Sequence, residues 1–374
     1  MSISVFTSSK FRFWSFVSMV LLVIVHGYNL DNRYMQPWTL PGEPMDFTAF
    51  TEYFFANGIF RFRIPMLFII SGFLYALHDQ KPYKQRTNKR LRTLLLPYLL
   101  WSAFGLILTY VLEIFPIGAV WVASSNVVQI DDTRLLIHDY HWYELLFRWI
   151  ILPVPYQLWF IRVLLIYNIA YPAIRWCVTN HKARWMFFAI VGLMWLGTMG
   201  FVFFEGEGLL FFSLGVWMQK TGFDIESPRK WSNPLWWGLA FLFLTAVKTF
   251  LAFQSEAYLG NAIFPVLSIL HKLVIVSGLI SCWFGLDRLV QWCMDTKFFV
   301  WVSAFSFIIY AVHAPLVAYL INPTLALLDT LPGTQLLTFV FLPLAIILLA
   351  VGIGSLLRMI SPKIYGLLTG GRGF

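Results

Sequence analysis

Apolar segments of about twenty residues recur along the whole of this 374-residue chain, and this pattern limits its fold more than any other feature. Each segment is long enough to cross the hydrocarbon core of a bilayer, which is about 30 Å thick. Of all residues, 59% are hydrophobic and only 12% are charged, which leaves no room for a sizeable soluble domain. The sequence therefore predicts an all-α, polytopic membrane helical bundle that forms one domain over residues 1–374 and contacts the lipid bilayer.

The charged residues sort by side of the membrane. We predict about ten spans, near residues 13–30, 57–78, 93–113, 157–177, 186–204, 209–219, 234–253, 262–284, 299–321 and 334–357. Both termini then share one side, which receives 19 of the 27 Lys and Arg residues, against three in the opposite loops. By the positive-inside rule that side is cytoplasmic. This sorting also explains the net charge of +9, so we expect no nucleic-acid partner.

Five basic residues lie within spans or at their outer ends: Arg61, Arg63, Arg162, Lys248 and Lys272. A cation at mid-depth costs roughly 2.5 to 3.5 kcal/mol on insertion scales, so each needs a partner or a function. With His26, His271 and His313 they predict a strongly basic cavity in the outward half of the membrane, partly neutralised by acidic residues of the outer loops. Since helical neighbours differ by about 100°, at most one of His271 and Lys272 is expected to point squarely into it.

His26 is the candidate catalytic residue, because it ends an otherwise unbroken apolar run in the first span. It shares one helical face with Ser15, Ser18 and Asn29, whereas the other faces of the helix are apolar. Ionisable residues in a span turn inward and commonly mark a working site. The alternative is a hydrogen-bonded structural histidine.

The ninth span carries a second polar stripe. Ser303, Ser306, Tyr310 and His313 follow one another at intervals of three, four and three residues, and so share a helical face. Serine and histidine often form hydrogen-bonded packing seams between membrane helices. The stripe is therefore either such a seam or a second part of the site.

Several blocks of sequence, spread over almost the whole chain, resemble the acyltransferase-3 family of membrane proteins. They are His26 in the first span, RxR followed by PMLFIISGFL at 61–74, KRLRTLLLPYLLW at 89–101, LWFIR at 158–162 and FSFIIYAVHAPL at 305–316. The resemblance implies a multi-span enzyme that acylates, most often acetylates, a hydroxyl of an extracytoplasmic carbohydrate, with acyl-CoA as the cytoplasmic donor. We therefore expect an integral, multi-pass protein of the bacterial cytoplasmic (inner) membrane.

One position departs from the family pattern. Many members carry an arginine that ten residues separate from the first-span histidine, and this chain has Ser15 there. Arg12 lies one turn nearer the cytoplasm, and its long side chain could replace that arginine.

Acyl transfer to a sugar hydroxyl needs a base for the hydroxyl proton and a positive group where the oxyanion develops. Histidine, with an ordinary pKa of about 6.5, suits the base and can also carry an acyl group transiently, so we assign His26 to catalysis. Arg61 or Arg63 would stabilise the oxyanion or grip the CoA phosphates through its bidentate guanidinium. These two would lie about 200° apart on a helix, so one is expected to face the site and the other a carboxylate.

Donor and acceptor are assigned to further polar residues of the spans. We expect the donor phosphates to bind at Arg12, Arg90, Arg92 and Arg162. We expect the carbohydrate acceptor to bind at Asn29, Tyr310 and His313. Acetyl-CoA or another acyl-CoA would be a co-substrate, with no tightly bound cofactor. No metal is expected either, because His138 and His141 have no clear third ligand.

A different class of function stays open on the residues alone. A many-helix protein with a basic outward cavity could instead be a transporter or flippase of an anionic lipid or polysaccharide intermediate. Transporters often show internal repeats and paired interrupted helices, and neither is convincing in this sequence.

Overall fold

The computed structural model describes residues 3–28, 37–39, 43–254 and 258–373. The helices, in chain order, are α1 (Val5–His26), α2 (Phe47–Tyr53), α3 (Arg63–Leu77), α4 (Tyr83–Arg90), α5 (Leu96–Glu113), α6 (Pro116–Ser124), α7 (Trp142–Ile150), α8 (Trp159–Ile169), α9 (Tyr171–Thr179), α10 (His181–Leu196), α11 (Gly206–Thr221), α12 (Pro234–Phe253), α13 (Ile263–Gly285), α14 (Asp287–Asp295), α15 (Lys297–Ser303), α16 (Ser306–Leu327), α17 (Thr334–Ile360) and α18 (Pro362–Thr369). π-Helical segments at Phe54–Ile59 and Leu91–Leu95 follow α2 and α4. Short 3-10 turns lie at Ile137–Asp139, Tyr156–Leu158, Lys230–Ser232 and Gly260–Ala262. Two two-residue strands, β1 (Gly200–Phe201) and β2 (Phe204–Glu205), pair as an antiparallel hairpin before α11.

The structure is that of an all-α polytopic membrane protein. In the described ranges, seven helical stretches are long and apolar enough to cross a membrane: Val5–His26, Phe47–Leu77, Tyr83–Glu113, Lys230–Phe253, Gly260–Gly285, Ser306–Leu327 and Thr334–Ile360. An eighth span is possible if the pair Tyr156–Ile169 and Tyr171–Thr179, bent by 65°, counts as one. The fifth and sixth predicted spans correspond to α10 and α11, each only 16 residues long. The count of ten and the side on which the termini lie thus stay predictions.

Helices α3 and α11 approach each other unusually closely, because glycines lie at their contact. A Cβ at Gly72 would lie 2.0 Å from the carbonyl oxygen of Phe212, and one at Gly215 would lie 2.1 Å from that of Ile69. Small residues allow such backbone approach between membrane helices, where packing rather than water drives association. The contact fixes Arg63, the first residue of α3, relative to Glu207 in the first turn of α11.

Asp79, just after α3, gathers basic residues from three other helices. Its carboxylate, with the side chain 8% exposed, lies 3.2 Å from Arg86 of α4, 3.1 Å from Arg175 of α9 and 2.6 Å from Lys220 of α11. A buried carboxylate needs such partners, since an unpaired buried charge is costly. Asp79 therefore ties α3, α4, α9 and α11 together at one end of the bundle.

The same end holds α1 in place. Lys10 of α1 is buried and lies 2.5 Å from the carboxylate of Asp287, at the start of α14. Its ammonium group also lies over the ring of Trp283, 4.7 Å from the centroid. Cation–π contact and ion pairing together allow this lysine to be buried.

Residues 116–154 fold into a small cap beside α5 and α16, with its own apolar cluster around Val122, Val128 and Val154. Glu113, at the end of α5, accepts hydrogen bonds from the backbone N–H groups of Ile137 and His138, and its carboxylate lies 2.7 Å from Nδ1 of His138. Within the part of the chain that the structure describes, no three metal-ligating side chains come together. Through its contacts with Glu113, His138 forms part of the packing of the cap.

Candidate active site

A cavity of about 490 Å³, which we call the His26 cavity, lies where α1, α3, α8, the β1–β2 hairpin and α13 meet. Its titratable lining residues are His26, Arg61, Arg63, Arg162, Glu205, Glu207, His271 and Lys272. Six of these eight are intramembrane cations or histidines that the sequence groups into one basic cavity. The structure confirms that they are brought together.

His26 is the last residue of α1 and lies on the wall of this cavity, 5% exposed. Its Nδ1 is 3.1 Å from the hydroxyl of Tyr156, which forms the 3-10 turn before α8. On another side its ring centroid lies 5.3 Å from that of His313 in α16. The imidazole is thus oriented by two side chains while one face borders open space.

A break in α16 beside His313 shapes this region. Ala314 has non-helical dihedral angles, and Pro315 has no N–H to give to the carbonyl of Ala311. The buried amide of Gln157 fills the gap by donating to the carbonyls of Tyr310, Ala311 and Ala314 at 3.0 to 3.2 Å. Gln157 thereby joins the entry to α8, which carries the partner of His26, to the polar stripe of α16.

Both Arg61 and Arg63 line the His26 cavity, so the prediction that only one faces the site is wrong. Arg61 lies in the turn between the π-helical segment Phe54–Ile59 and α3, where the regular spacing of 100° per residue does not apply. It donates to the side-chain oxygen of Asn57. Arg63, 4% exposed, donates to the carbonyl of Phe60 at 2.8 Å.

The acidic wall of the cavity comes from the β1–β2 hairpin and α11. Glu207 accepts a hydrogen bond from Nε1 of Trp195 at 3.0 Å and lies 4.0 Å from the ammonium of Lys272. Glu205 lines the cavity beside it. His271 and Lys272, at neighbouring positions of α13, both border the cavity.

A second cavity, of about 250 Å³, lies on the other side of α8, and we call it the Arg90 cavity. Its polar lining residues are Ser15, Ser71, Arg90, Asn168, Ser306, Tyr310 and Arg372. Phe160 of α8 borders both cavities. Phe160 is therefore part of the boundary between the space beside His26 and a second polar space that is lined by Arg90 of α4.

These features agree with the comparison with known proteins. A family model described as an acyltransferase domain, that of acyltransferase-3, matches residues 7–355. The chain belongs to the acyltransferase-3 family. This acyltransferase is similar to the succinoglycan biosynthesis protein ExoH of Rhizobium meliloti (strain 1021), with 26% identity over 324 residues, which is 85% of this chain and 81% of the relative. No solved structure matches it significantly. Family membership confirms the prediction of an acyltransferase over that of a transporter.

The predicted donor-binding arginines of the acyltransferase separate in space. Arg90 lines the Arg90 cavity, whereas Arg162 lines the His26 cavity and donates to the carbonyl of Ile151. Arg12 lines neither, because it donates to the hydroxyl of Ser303 at 2.9 Å and to the carbonyl of Val300. Arg92 is exposed and likewise borders neither cavity.

The predicted acceptor residues of the acyltransferase also have different surroundings. Asn29 lies outside the described residues. Tyr310 is buried on the wall of the Arg90 cavity and donates to the carbonyl of Gln157 at 2.6 Å. His313 is fully buried, with Nδ1 3.1 Å from the carbonyl of Ile309. The last two lie behind the His26 cavity and support it rather than line it.

Lys248 is a further correction to the predicted cluster of the acyltransferase. It is fully buried, donates to the backbone carbonyl of Asn57 and lies 5.0 Å from the ring centroid of Tyr53. It is not part of the cavity lining. Lys248 instead supports the π-helical segment from which Arg61 emerges.

Several residues that line the two cavities were not predicted from the sequence. Trp159 and Trp195 border the His26 cavity, and Arg372 borders the Arg90 cavity. Trp159 lies within the LWFIR block, which was a signal for it, whereas no comparable signal pointed to Trp195 or Arg372.

Proposed function

We propose that this acyltransferase moves an acyl group, acetyl in the simplest case, from acyl-CoA to a hydroxyl of an extracytoplasmic polysaccharide or glycolipid. Family membership supports the transfer chemistry. The similarity to a succinoglycan biosynthesis protein supports a polysaccharide acceptor. The observation that carries the proposal is His26 on the wall of a cavity with three arginines, which shares the lining residue Phe160 with a second cavity.

In the proposed reaction His26 takes the proton of the acceptor hydroxyl as the oxygen attacks the thioester carbonyl. Tyr156, 3.1 Å from Nδ1, holds the ring so that Nε2 is the nitrogen that meets the substrate. The C–O bond forms, and the C–S bond breaks when the tetrahedral intermediate collapses. His26 then returns the proton to the departing thiolate, which leaves the histidine neutral for the next cycle.

Positive charge near His26 would stabilise the oxyanion of the tetrahedral intermediate. Arg61 and Arg63 both present guanidinium groups to the His26 cavity. A fixed cation in a site with little water stabilises developing negative charge far more than it would in bulk solvent. We assign this role to Arg63, which is the more deeply buried and is held by the carbonyl of Phe60.

The acceptor sugar would occupy the part of the His26 cavity nearest the β1–β2 hairpin. Trp159 and Trp195 offer flat apolar faces there, and Glu205 and Glu207 offer carboxylate oxygens. Sugars present both an apolar ring face and hydroxyl donors, so this pairing of indole and carboxylate suits them. A neutral or basic sugar fits such a wall better than an acidic one.

The donor would approach from the side of the Arg90 cavity. The positive-inside rule makes the end of the bundle with α4 cytoplasmic, which is where acyl-CoA is available. The acyl group would then pass Phe160 to reach His26. We therefore propose that the protein lies in the bacterial cytoplasmic membrane and that the acceptor lies outside.

His26→Ala tests the proposal. In purified protein, acyl-CoA hydrolysis and transfer to acceptor should fall about 10²-fold or more, since general base catalysis contributes at least that much. His181→Ala, an exposed histidine at the start of α10, is the matched control and should keep full activity. Mass spectra of surface polysaccharide from cells with each variant should lose one acyl mass only with His26→Ala. Normal acylation by a folded His26→Ala protein would refute the catalytic assignment.

A further inference from the structure

The segment after α18 is a glycine-rich arm, residues 370–373, that packs back onto the bundle. Gly370, Gly371 and Gly373 have φ angles of +62°, +76° and +84°, a region that side chains other than glycine rarely adopt. A Cβ at Gly370 would come closer than 3.0 Å to the carbonyl oxygen of Thr93, and one at Gly373 closer than 3.0 Å to that of Ala304. Glycine is thus required at positions 370 and 373 both by the backbone conformation and by the lack of space for a Cβ.

This conformation brings Arg372 to the wall of the Arg90 cavity. Its guanidinium donates to the carbonyl of Thr369 at 3.2 Å and lies 5.0 Å from the ring centroid of Phe307. Burial, with the charge of Arg90 nearby, lowers the pKa of Arg372 to about 10, so the group stays charged at neutral pH. A segment whose observed conformation requires glycine thus places a cation on the wall of the cavity.

Arg90 supplies a second cation on the same wall. Its guanidinium lies 5.3 Å from the ring centroid of Tyr75. None of the residues that line the cavity is acidic, and in the described ranges neither Arg90 nor Arg372 forms an ion pair. Two like charges that share one cavity repel each other, and a bound anion would relieve this repulsion.

The neutral part of the lining suits the same kind of ligand. The hydroxyls of Ser15, Ser71 and Ser306 also border the cavity. An oxyanion with several acceptor oxygens would bind the arginine and serine donors together.

We propose that the arm of residues 370–373 completes a diphosphate-binding site in the Arg90 cavity, in which Arg372 and Arg90 each bind one of the two phosphates. Two separate guanidinium groups match two linked phosphates, because each offers a planar fork to one phosphate. Such a diphosphate occurs in coenzyme A and in prenyl diphosphate lipids. Only the choice of coenzyme A rests on the function proposed above, and the diphosphate site itself does not.

Binding to the full-length protein in detergent tests the site, with calorimetry of coenzyme A and of farnesyl diphosphate as probes. Arg372→Ala should weaken binding of the preferred probe about tenfold or more, which is the loss of one charge-assisted contact. Arg372→Lys should lose less, because it keeps the charge without the fork. Lys363→Ala, an exposed cation of α18, is the matched control and should bind as the wild type does. Pantetheine, which has no diphosphate, should bind equally to all variants.

The outcomes separate the two proposals. If coenzyme A binds and its affinity depends on Arg372, the arm serves the donor. If only farnesyl diphosphate does so, the diphosphate site stands and the assignment of acyl-CoA to this cavity fails. If neither probe binds the wild type, or if Arg372→Ala and Arg372→Lys both bind as the wild type does, the site is refuted. His26→Ala should leave coenzyme A affinity unchanged while it removes transfer.

Discussion

Replacing Gly72 by alanine is expected to force α3 and α11 apart. The added Cβ would lie 2.0 Å from the carbonyl oxygen of Phe212, whereas real Cβ contacts are essentially never closer than 3.0 Å, so the helices must separate locally by about 1 Å. Overpacking costs about 1–3 kcal/mol. Because a backbone carbonyl cannot rotate away as a side chain can, we expect a cost at the upper end of this range. Alanine returns up to about 1 kcal/mol over glycine within a helix. The expected net loss is therefore about 2 kcal/mol of the free energy of unfolding.

Gly352→Ala in α17 provides the matched control, because a Cβ there meets nothing within 4 Å. It should gain about 0.5–1 kcal/mol from helix propensity alone. Equilibrium unfolding in mixed detergent micelles would measure the free energy of unfolding of both variants. Each replaces glycine by alanine, in a tight helix contact at Gly72 and in open space at Gly352. Because the contact between α3 and α11 fixes the position of Arg63 relative to Glu207, Gly72→Ala should also reduce acyl transfer, whereas Gly352→Ala should not. Equal stability of the two variants would refute the close helix approach.

Three further outcomes are expected. Asp79→Asn leaves the buried Arg86 without its carboxylate and should cost about 3–5 kcal/mol in the same unfolding assay, so a variant as stable as the wild type would contradict the shared ion pairs. Tyr156→Phe removes the hydroxyl partner of His26 and should lower kcat about tenfold while KM stays near its original value; an unchanged kcat would show that the ring needs no such support. Reporter fusions after residues 85 and 374 should report a cytoplasmic location and one after residue 130 an external one, and any reversal would remove the basis for placing donor and acceptor on opposite sides.

The grouping of intramembrane cations was predictable because charged side chains are unfavourable in contact with lipid. His26, Arg61, Arg63 and Lys272 are far apart in sequence, but each must avoid hydrocarbon, and a shared cavity satisfies all of them. The same reasoning failed for Lys248, since a backbone carbonyl can also satisfy a buried ammonium group. Composition identifies residues that need a polar environment, but not which polar atom provides it.

Local breaks were the other limit of prediction. A single span was expected over 157–177, yet the chain bends by 65° between α8 and α9, where Pro172 lies at the start of the second helix. Proline favours a helix start and disfavours a helix interior, so the signal was present. The position of Arg372 was not predictable in this way. The sequence GGRG indicates a flexible segment but not the surface on which it packs.

The position of Phe160 bears on whether acyl transfer depends on the membrane potential. It borders both cavities and packs on Phe68, with ring centroids 4.7 Å apart, so aromatic rings form part of the boundary. In the proposed reaction an acyl group moves outward across this boundary while one proton moves inward, from the acceptor hydroxyl to the thiol. For a neutral acyl group such as acetyl, the substrates and products on each side carry the same charge before and after. Each turnover is then electroneutral, and the rate of acylation should not respond to the membrane potential.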